Sequence, residues 1–202
     1  AVVANSNALA MYVNGVAETL SGTTTLTNRN STTNTFSLFL NSSASNYQFR
    51  GYVSNIRVTN TAAYTAGFTP STVPLTPITG TQLLTCQSNR FVDNSSNAYS
   101  LTVQGAPSVQ PFSPFYNPTA YTPAANGGSG YFDGASGTYL TVGAASNWTF
   151  LHSGADFTIE FDYYYTTTDT DVLLNTTYGS SANTGFSLIL TGSTGVLAYE
   201  FD

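Results

Sequence analysis

Short runs in which apolar residues occupy every second position, each cut off by turn residues, constrain this chain more than any other feature. Leu9, Met11 and Val13 alternate with small or polar residues and run into Asn14-Gly15, the strongest short hairpin signal. Phe36, Leu38 and Leu40 repeat the pattern, and Val53 followed by Ile56, Arg57 and Val58 carries it across one extra residue, as a bulge would. Further runs cover Leu83-Leu84, Leu101 with Val103, 139–142, 157–165, 172–174, 186–190 and 196–201. Helical periodicity is nearly absent, and turn clusters return at roughly 8–12-residue spacing, the rhythm of a sandwich or barrel. The spacing predicts antiparallel strands throughout, with at most a short helix or turn at 62–67 or 148–151.

Composition narrows the class. With 41% hydrophobic and 14% aromatic residues, the 202-residue chain can build a real core. Charged residues make up 7% of it, and the basic ones are Arg29, Arg50, Arg57 and Arg90, with no lysine. Ser, Thr and Asn must carry solubility, which suits a durable extracellular β-protein. A net charge of −6 argues against a nucleic-acid partner, which needs a basic stripe to neutralise phosphates. No apolar run is long enough for a membrane-spanning helix. No signal peptide is legible, and Ala1 in place of Met reads as a cut or processed end. Cys86 is the single cysteine, expected as a small core residue rather than a reactive thiol.

Two proline-rich stretches read as connectors. Residues 68–80 carry Pro70, Pro74 and Pro77 and form the expected boundary between a segment 1–78 and a segment 81–202; residues 111–130 carry four more prolines and read as a long surface connection.

The motifs have a family likeness. Residues 49–58, Phe-Arg-Gly-Tyr-Val-Ser-Asn-Ile-Arg-Val, with Ala63-Tyr64 and Phe68-Thr69-Pro70 after them, resemble the closing strand of laminin G-like, concanavalin A-like jellyroll repeats in phage fibre-like structural proteins. Met11 to Val16 looks like the preceding hairpin. Leu83 to Cys86, Phe91 to Asn97, Gly130 to Gly134 and Asp156 to Phe161 look like the opening landmarks of such a repeat. The order is inverted: the opening landmarks follow the closing strand. The resemblance therefore implies that 1–78 is the C-terminal half and 81–202 the N-terminal half of a jellyroll. The two would form one permuted or swapped sandwich, short of about one strand, or belong to a tandem array. Either half alone would expose an apolar sheet face, so the apolar residues of 9–58 and 101–190 are expected to share a core.

Candidate chemistry is sparse. Glu160 and Asp162 sit at i and i+2, hence on one side of a strand, and related jellyroll glucanases use strand carboxylates. That pattern needs a further Glu five residues after the first, where this chain has Tyr165. The pair is therefore expected to be a solvated polar face opposite a core-facing Phe157, Ile159, Phe161, Tyr163 and Tyr165. The lone His152 has no nucleophile elbow around it. Asp93, Asn94, Asn97 and Asp133 are loop oxygen donors of the type Ca²⁺ takes, although Asx residues in turns ordinarily bind their own backbone. Tyr164, Trp148, Tyr116 and Tyr121, with Glu160 and Asp162, are the candidate glycan contacts, each weighed against plain packing. Sequons at Asn30, Asn41, Asn94, Asn147 and Asn175 are expected by chance at this Asn, Ser and Thr content.

These features and the resemblance imply a non-enzymatic module without a required cofactor. It would stand on a virion surface or in a tail or head fibre, contact copies of itself or other virion proteins, and display a jellyroll toward host glycans. A secreted or cell-surface carbohydrate-binding domain of bacterial origin is the alternative, and a glycoside hydrolase a third reading.

Overall fold

The computed structural model describes residues 1–26, 36–39, 48–115, 122–151, 153–176, 186–192, 194 and 196–201, without the side chains of 123, 124, 186 and 199–201. Among these residues, two antiparallel sheets form a sandwich-like all-β arrangement. The first contains β1 (Val2–Asn5), β2 (Ala8–Val13), β3 (Val16–Ala17), β5 (Arg50–Thr59), β6 (Thr81–Thr85), β8 (Ser108–Gln110), β9 (Ser129–Asp133) and β11 (Phe157–Tyr165). Its order is β3-β2-β1-β11-β5-β9-β8, with β6 also on β5. The second contains β4 (Ser37–Leu38), β7 (Leu101–Gln104), β10 (Tyr139–Val142), β12 (Thr170–Asn175), β13 (Phe186–Thr191) and β14 (Val196–Phe201), in the order β14-β13-β12-β4-β10-β7. Every ladder is antiparallel; an isolated parallel bridge joins Gln48 to Val172 where the chain crosses between sheets.

Strands from both sides of the 68–80 connector alternate in both sheets. β11 lies between β1 and β5, and β4 lies between β10 and β12. The core follows from that interleaving. Val2, Val53, Ile56, Phe132, Phe157 and Ile159 from the first sheet meet Leu38, Leu140, Val142, Leu174 and Leu188 from the second. Burial of each such side chain is worth about 1.5–3 kcal/mol. Phe36 stacks on Trp148 at 4.3 Å between ring centres, and Phe39 meets Phe132 at 4.1 Å.

β5 organises the first sheet. One edge pairs with β11 along its length; the other is divided, with β9 on Arg50–Val53 and β6 on Ile56–Thr59. The division falls at a bulge. Register steps from Arg57 opposite Glu160 to Ser54 opposite Asp162, so β5 carries one residue more than β11, and Asn55 takes φ 53° there. Inward positions shift accordingly, from Val58 and Ile56 to Val53, as the sequence spacing predicts.

The short turn expected at 148–151 is present, within a 3₁₀ segment at Ala145–Leu151. Other expectations need correction. Residues 62–67 are irregular, and one helical turn lies at Pro123–Asn126, outside the expected positions. Val103 is 44% exposed because β7 is an edge strand, and Val13 and Tyr165 are exposed where β2 and β11 approach their ends. Leu40 lies outside the described residues.

Candidate functional site

The outer face of the first sheet, away from the core, is where polar chemistry collects. The connector 60–79 folds over it instead of separating two sandwiches. Ala63 N–H donates to Thr158 Oγ1 at 2.7 Å, and the Thr59 and Thr158 hydroxyls both donate to the Thr61 carbonyl. Beneath this cover Arg57 and Glu160 are cross-strand neighbours and form a buried ion pair. Arg57 Nε donates to Glu160 Oε1, Arg57 Nη1 donates to the Thr76 carbonyl at 2.8 Å, and Tyr64 O–H donates to Glu160 Oε2 at 2.7 Å. Tyr64 is held flat on Phe68, 3.6 Å between ring centres and 6° between planes. Burial first, then the Glu160 carboxylate, pushes the Tyr64 hydroxyl up to about 12. The expected solvated Glu160 is thus 7% exposed and fully engaged. The residue that takes it out of solvent is Arg57, opposite it in register.

Two strand positions further on, the same face opens. Asp162 receives Asn55 Nδ2 at 3.2 Å, while Asn55 Oδ1 accepts from Leu75 N–H at 2.9 Å, so the bulge residue ties the carboxylate to the connector. Burial raises the Asp162 carboxyl above its ordinary value, the Asn55 hydrogen bond opposes that shift, and Glu160 adds to it. Beside Asp162 lies an aromatic group from three adjacent strands and one loop. Tyr52 sits 5.0 Å from Tyr131, 6.3 Å from Tyr164 and 4.8 Å from Phe112, and Phe112 meets Tyr164 edge-on at 5.7 Å. Tyr164 is 58% exposed and Phe112 49%. A cleft of about 180 Å³ runs between them, lined by Tyr52, Ser54, Phe112, Ser129, Asp162 and Tyr164 among others. An adjoining cleft of about 230 Å³ reaches Tyr12, Phe68 and Glu160 and shares Pro114, Asp162 and Tyr163 with the first.

Of the candidate glycan contacts, Glu160, Asp162 and Tyr164 therefore share one face. Trp148 does not join them: it is 1% exposed, stacked in the core, with its indole N–H donating to the Val142 carbonyl at 2.8 Å. Tyr116, Tyr121 and His152 lie outside the described residues.

The four candidate Ca²⁺ donors do not form an open ligand set. Both Asp93 oxygens are occupied by protein donors: Oδ1 by the amides of Leu84 and Ser95, Oδ2 by the Ser95 hydroxyl and the Tyr99 amide. Asn97 donates its side-chain amide to Gln82, and Asn94 N–H donates to the Leu84 carbonyl. Asp133 stands at the end of β9, where its carboxylate caps Ala135 N–H and is held below its ordinary range by that bond. Among the described residues no group of three or more His, Cys, Asp or Glu side chains gathers. Cys86 is buried at φ 56°, and burial pushes its thiol up to about 12, which makes it inert.

Fold and face together define an all-β antiparallel sandwich protein with a half-open aromatic cleft on one sheet. No family model matches the chain, and neither a curated protein nor a solved structure matches it.

Sequence reasoning had missed Arg57, Tyr52, Phe112, Ser129 and Tyr131 as parts of this face. The register of β5 on β11 brings in Arg57 and Tyr52, the register of β9 on β5 brings in Ser129 and Tyr131, and Phe112 arrives on a loop; the first of these depends on a bulge whose exact position alternation alone leaves open.

Proposed function

We propose that this chain is a non-enzymatic glycan-attachment module of the laminin G-like jellyroll type, displayed on a virion surface or fibre. The observation that carries glycan attachment is the cleft between Tyr164 and Phe112. Two exposed aromatic rings flank a carboxylate and hydroxyls on a rigid sheet, the combination that lets a sugar ring stack while its hydroxyl groups hydrogen-bond. The virion setting rests on the motifs at 49–58, 91–97 and 130–134 and on the charge-poor composition. A non-catalytic role is favoured because Arg57 and Tyr64 occupy both oxygens of Glu160, leaving no free second carboxylate beside Asp162 among the described residues.

A glycan array probed with this chain tests the reading. Retention on a defined set of glycans, weakened about tenfold by Tyr164→Ala (the equivalent of 1.4 kcal/mol) with unchanged thermal stability, is expected. Binding to no glycan, or binding indifferent to both Tyr164→Ala and Phe112→Ala, overturns it. Hydrolysis of β-glucans lost in Asp162→Asn would replace it with the glycoside hydrolase.

A further inference from the structure

We infer that the Tyr164–Phe112 cleft takes a single uncharged pyranose residue, presented end-on, and rejects sugars that carry a carboxylate. The inference rests on the glycan-attachment reading and specifies its ligand.

Size is the first ground. At about 180 Å³ the cleft is smaller than the roughly 300–1,000 Å³ of sites that enclose drug-sized ligands, so it holds one ring, and any second ring would have to lie outside it or in the adjoining cleft of about 230 Å³ that shares Asp162. Unused hydrogen-bonding capacity is the second. Ser129 is 1% exposed, stands on the outward side of β9 with Tyr131, lines the cleft, and its hydroxyl has no partner among the described residues. Buried hydroxyls are normally paired, so this one marks where a ligand hydroxyl or water belongs. Among the described residues Asp162 receives one side-chain donor, Asn55, which leaves acceptor positions for a pair of ligand hydroxyls. Ser54, also lining the cleft, already donates to the Gly128 carbonyl and accepts from Asn55 Nδ2 at 3.1 Å, so it can offer a ligand one further acceptor position and no donor.

Charge is the third ground and sets the selectivity. Among the described residues no cation lines the cleft. Arg57 is committed to Glu160, and Arg50 Nε is committed to the Asp133 carbonyl. The charges bearing on Asp162 from outside are Glu160 and the α-amino group of Ala1, which donates to the Tyr12 carbonyl at 2.7 Å; both line the adjoining cleft and not this one. A ligand carboxylate would meet Asp162 with only the Ala1 α-amino group, in the adjoining cleft, to offset the repulsion, on a chain of net charge −6. A ligand with donor hydroxyls meets a charge-assisted acceptor.

The test compares methyl glucoside, galactoside and mannoside with methyl glucuronide and sialic acid by ligand-observed NMR titration of the full chain. At least one neutral glycoside should bind, with the glucuronide and sialic acid weaker by about tenfold or more. Asp162→Asn should weaken the neutral ligand by roughly ten- to a hundredfold and narrow the gap to the glucuronide. Ser129→Ala should weaken it severalfold without altering that gap, and serves if Asp162→Asn disturbs folding. Acidic and neutral sugars binding alike would overturn this inference while leaving glycan attachment standing. Array-positive oligosaccharides whose single residues do not bind would overturn the end-on geometry. Absence of all saccharide binding removes both readings together.

Discussion

Arg57 and Glu160 face each other across β5 and β11 under the connector, where neither can fall back on water. Breaking a buried pair by removing one charge costs about 3–5 kcal/mol, because the survivor is left uncompensated. Glu160→Gln keeps hydrogen bonding to Tyr64 and should fall near the low end, about 3 kcal/mol, measured by urea unfolding. The double change Arg57→Met with Glu160→Gln should cost less than the sum of the singles. Had Glu160 been a solvated surface group, the change would stay within about 0.5 kcal/mol. Asp171 on β12 offers a pH readout. Burial, partly offset by the Arg50 amide hydrogen bond, raises its carboxyl from 3.8 to about 6. The folded chain therefore holds that proton more tightly than the unfolded one. The contribution is fully present below about pH 4 and is lost as pH rises to about 6. Asp162, also raised by burial, slopes the same way, whereas Asp133, held low, slopes oppositely. Asp171→Asn should flatten much of the decline in melting temperature between those pH values; an unchanged slope would assign it elsewhere.

At the scale of elements, the Asn14-Gly15 turn is pinned by what lies over it. Gly15 takes φ +78°, its carbonyl accepts Phe68 N–H at 2.9 Å, and a Cβ there would stand 1.8 Å from the Phe68 carbonyl oxygen. Gly15→Ala should therefore lift the connector off the β2–β3 turn, at a cost of about 1–3 kcal/mol from backbone strain alone. Chymotrypsin cleavage at Tyr64 or Phe68 should become faster; resistance equal to the parent would contradict that docking. Strands with period-2 alternation, such as β2, β10 and β11, were legible in the sequence because one side of each meets a different environment from the other. β1 was not. Val2, Val3 and Ala4 are all buried, so the run has no alternation to read, yet it occupies the middle of its sheet. The cleft was half legible: Asp162 and Tyr164 follow from strand parity, whereas Tyr52, Tyr131 and Phe112 reach them only through register and loop placement. The connector misled because prolines identify a segment without ladder bonds but not the surface it covers.

For the whole molecule, β1, β4 and β5 stand among strands from beyond the connector, so neither 1–78 nor 81–202 has a sheet of its own. Expressed separately, each segment should lack a cooperative melting transition, and mixing the two should restore it; independent folding of either would contradict the shared core. Since one chain brings together both sheets, its unfolding midpoint should not move with protein concentration. A shift of several degrees over a hundredfold dilution would point instead to exchange between copies.

The placement of β1 and β14 also gives the molecule a mechanical polarity. Among the described residues β1 is bonded on both sides, to β2 and β11, while β14 is bonded to β13 alone at the margin of its sheet. Under tension applied at the two ends, β14 can part from β13 one rung at a time, whereas β1 must break two ladders together. Extension in an optical trap should therefore begin with a small early release from the β13–β14 side, followed by one larger rupture of the body. Attached through its N-terminal strand to something that pulls, the module would hold; attached through its last strand, it would yield by stages.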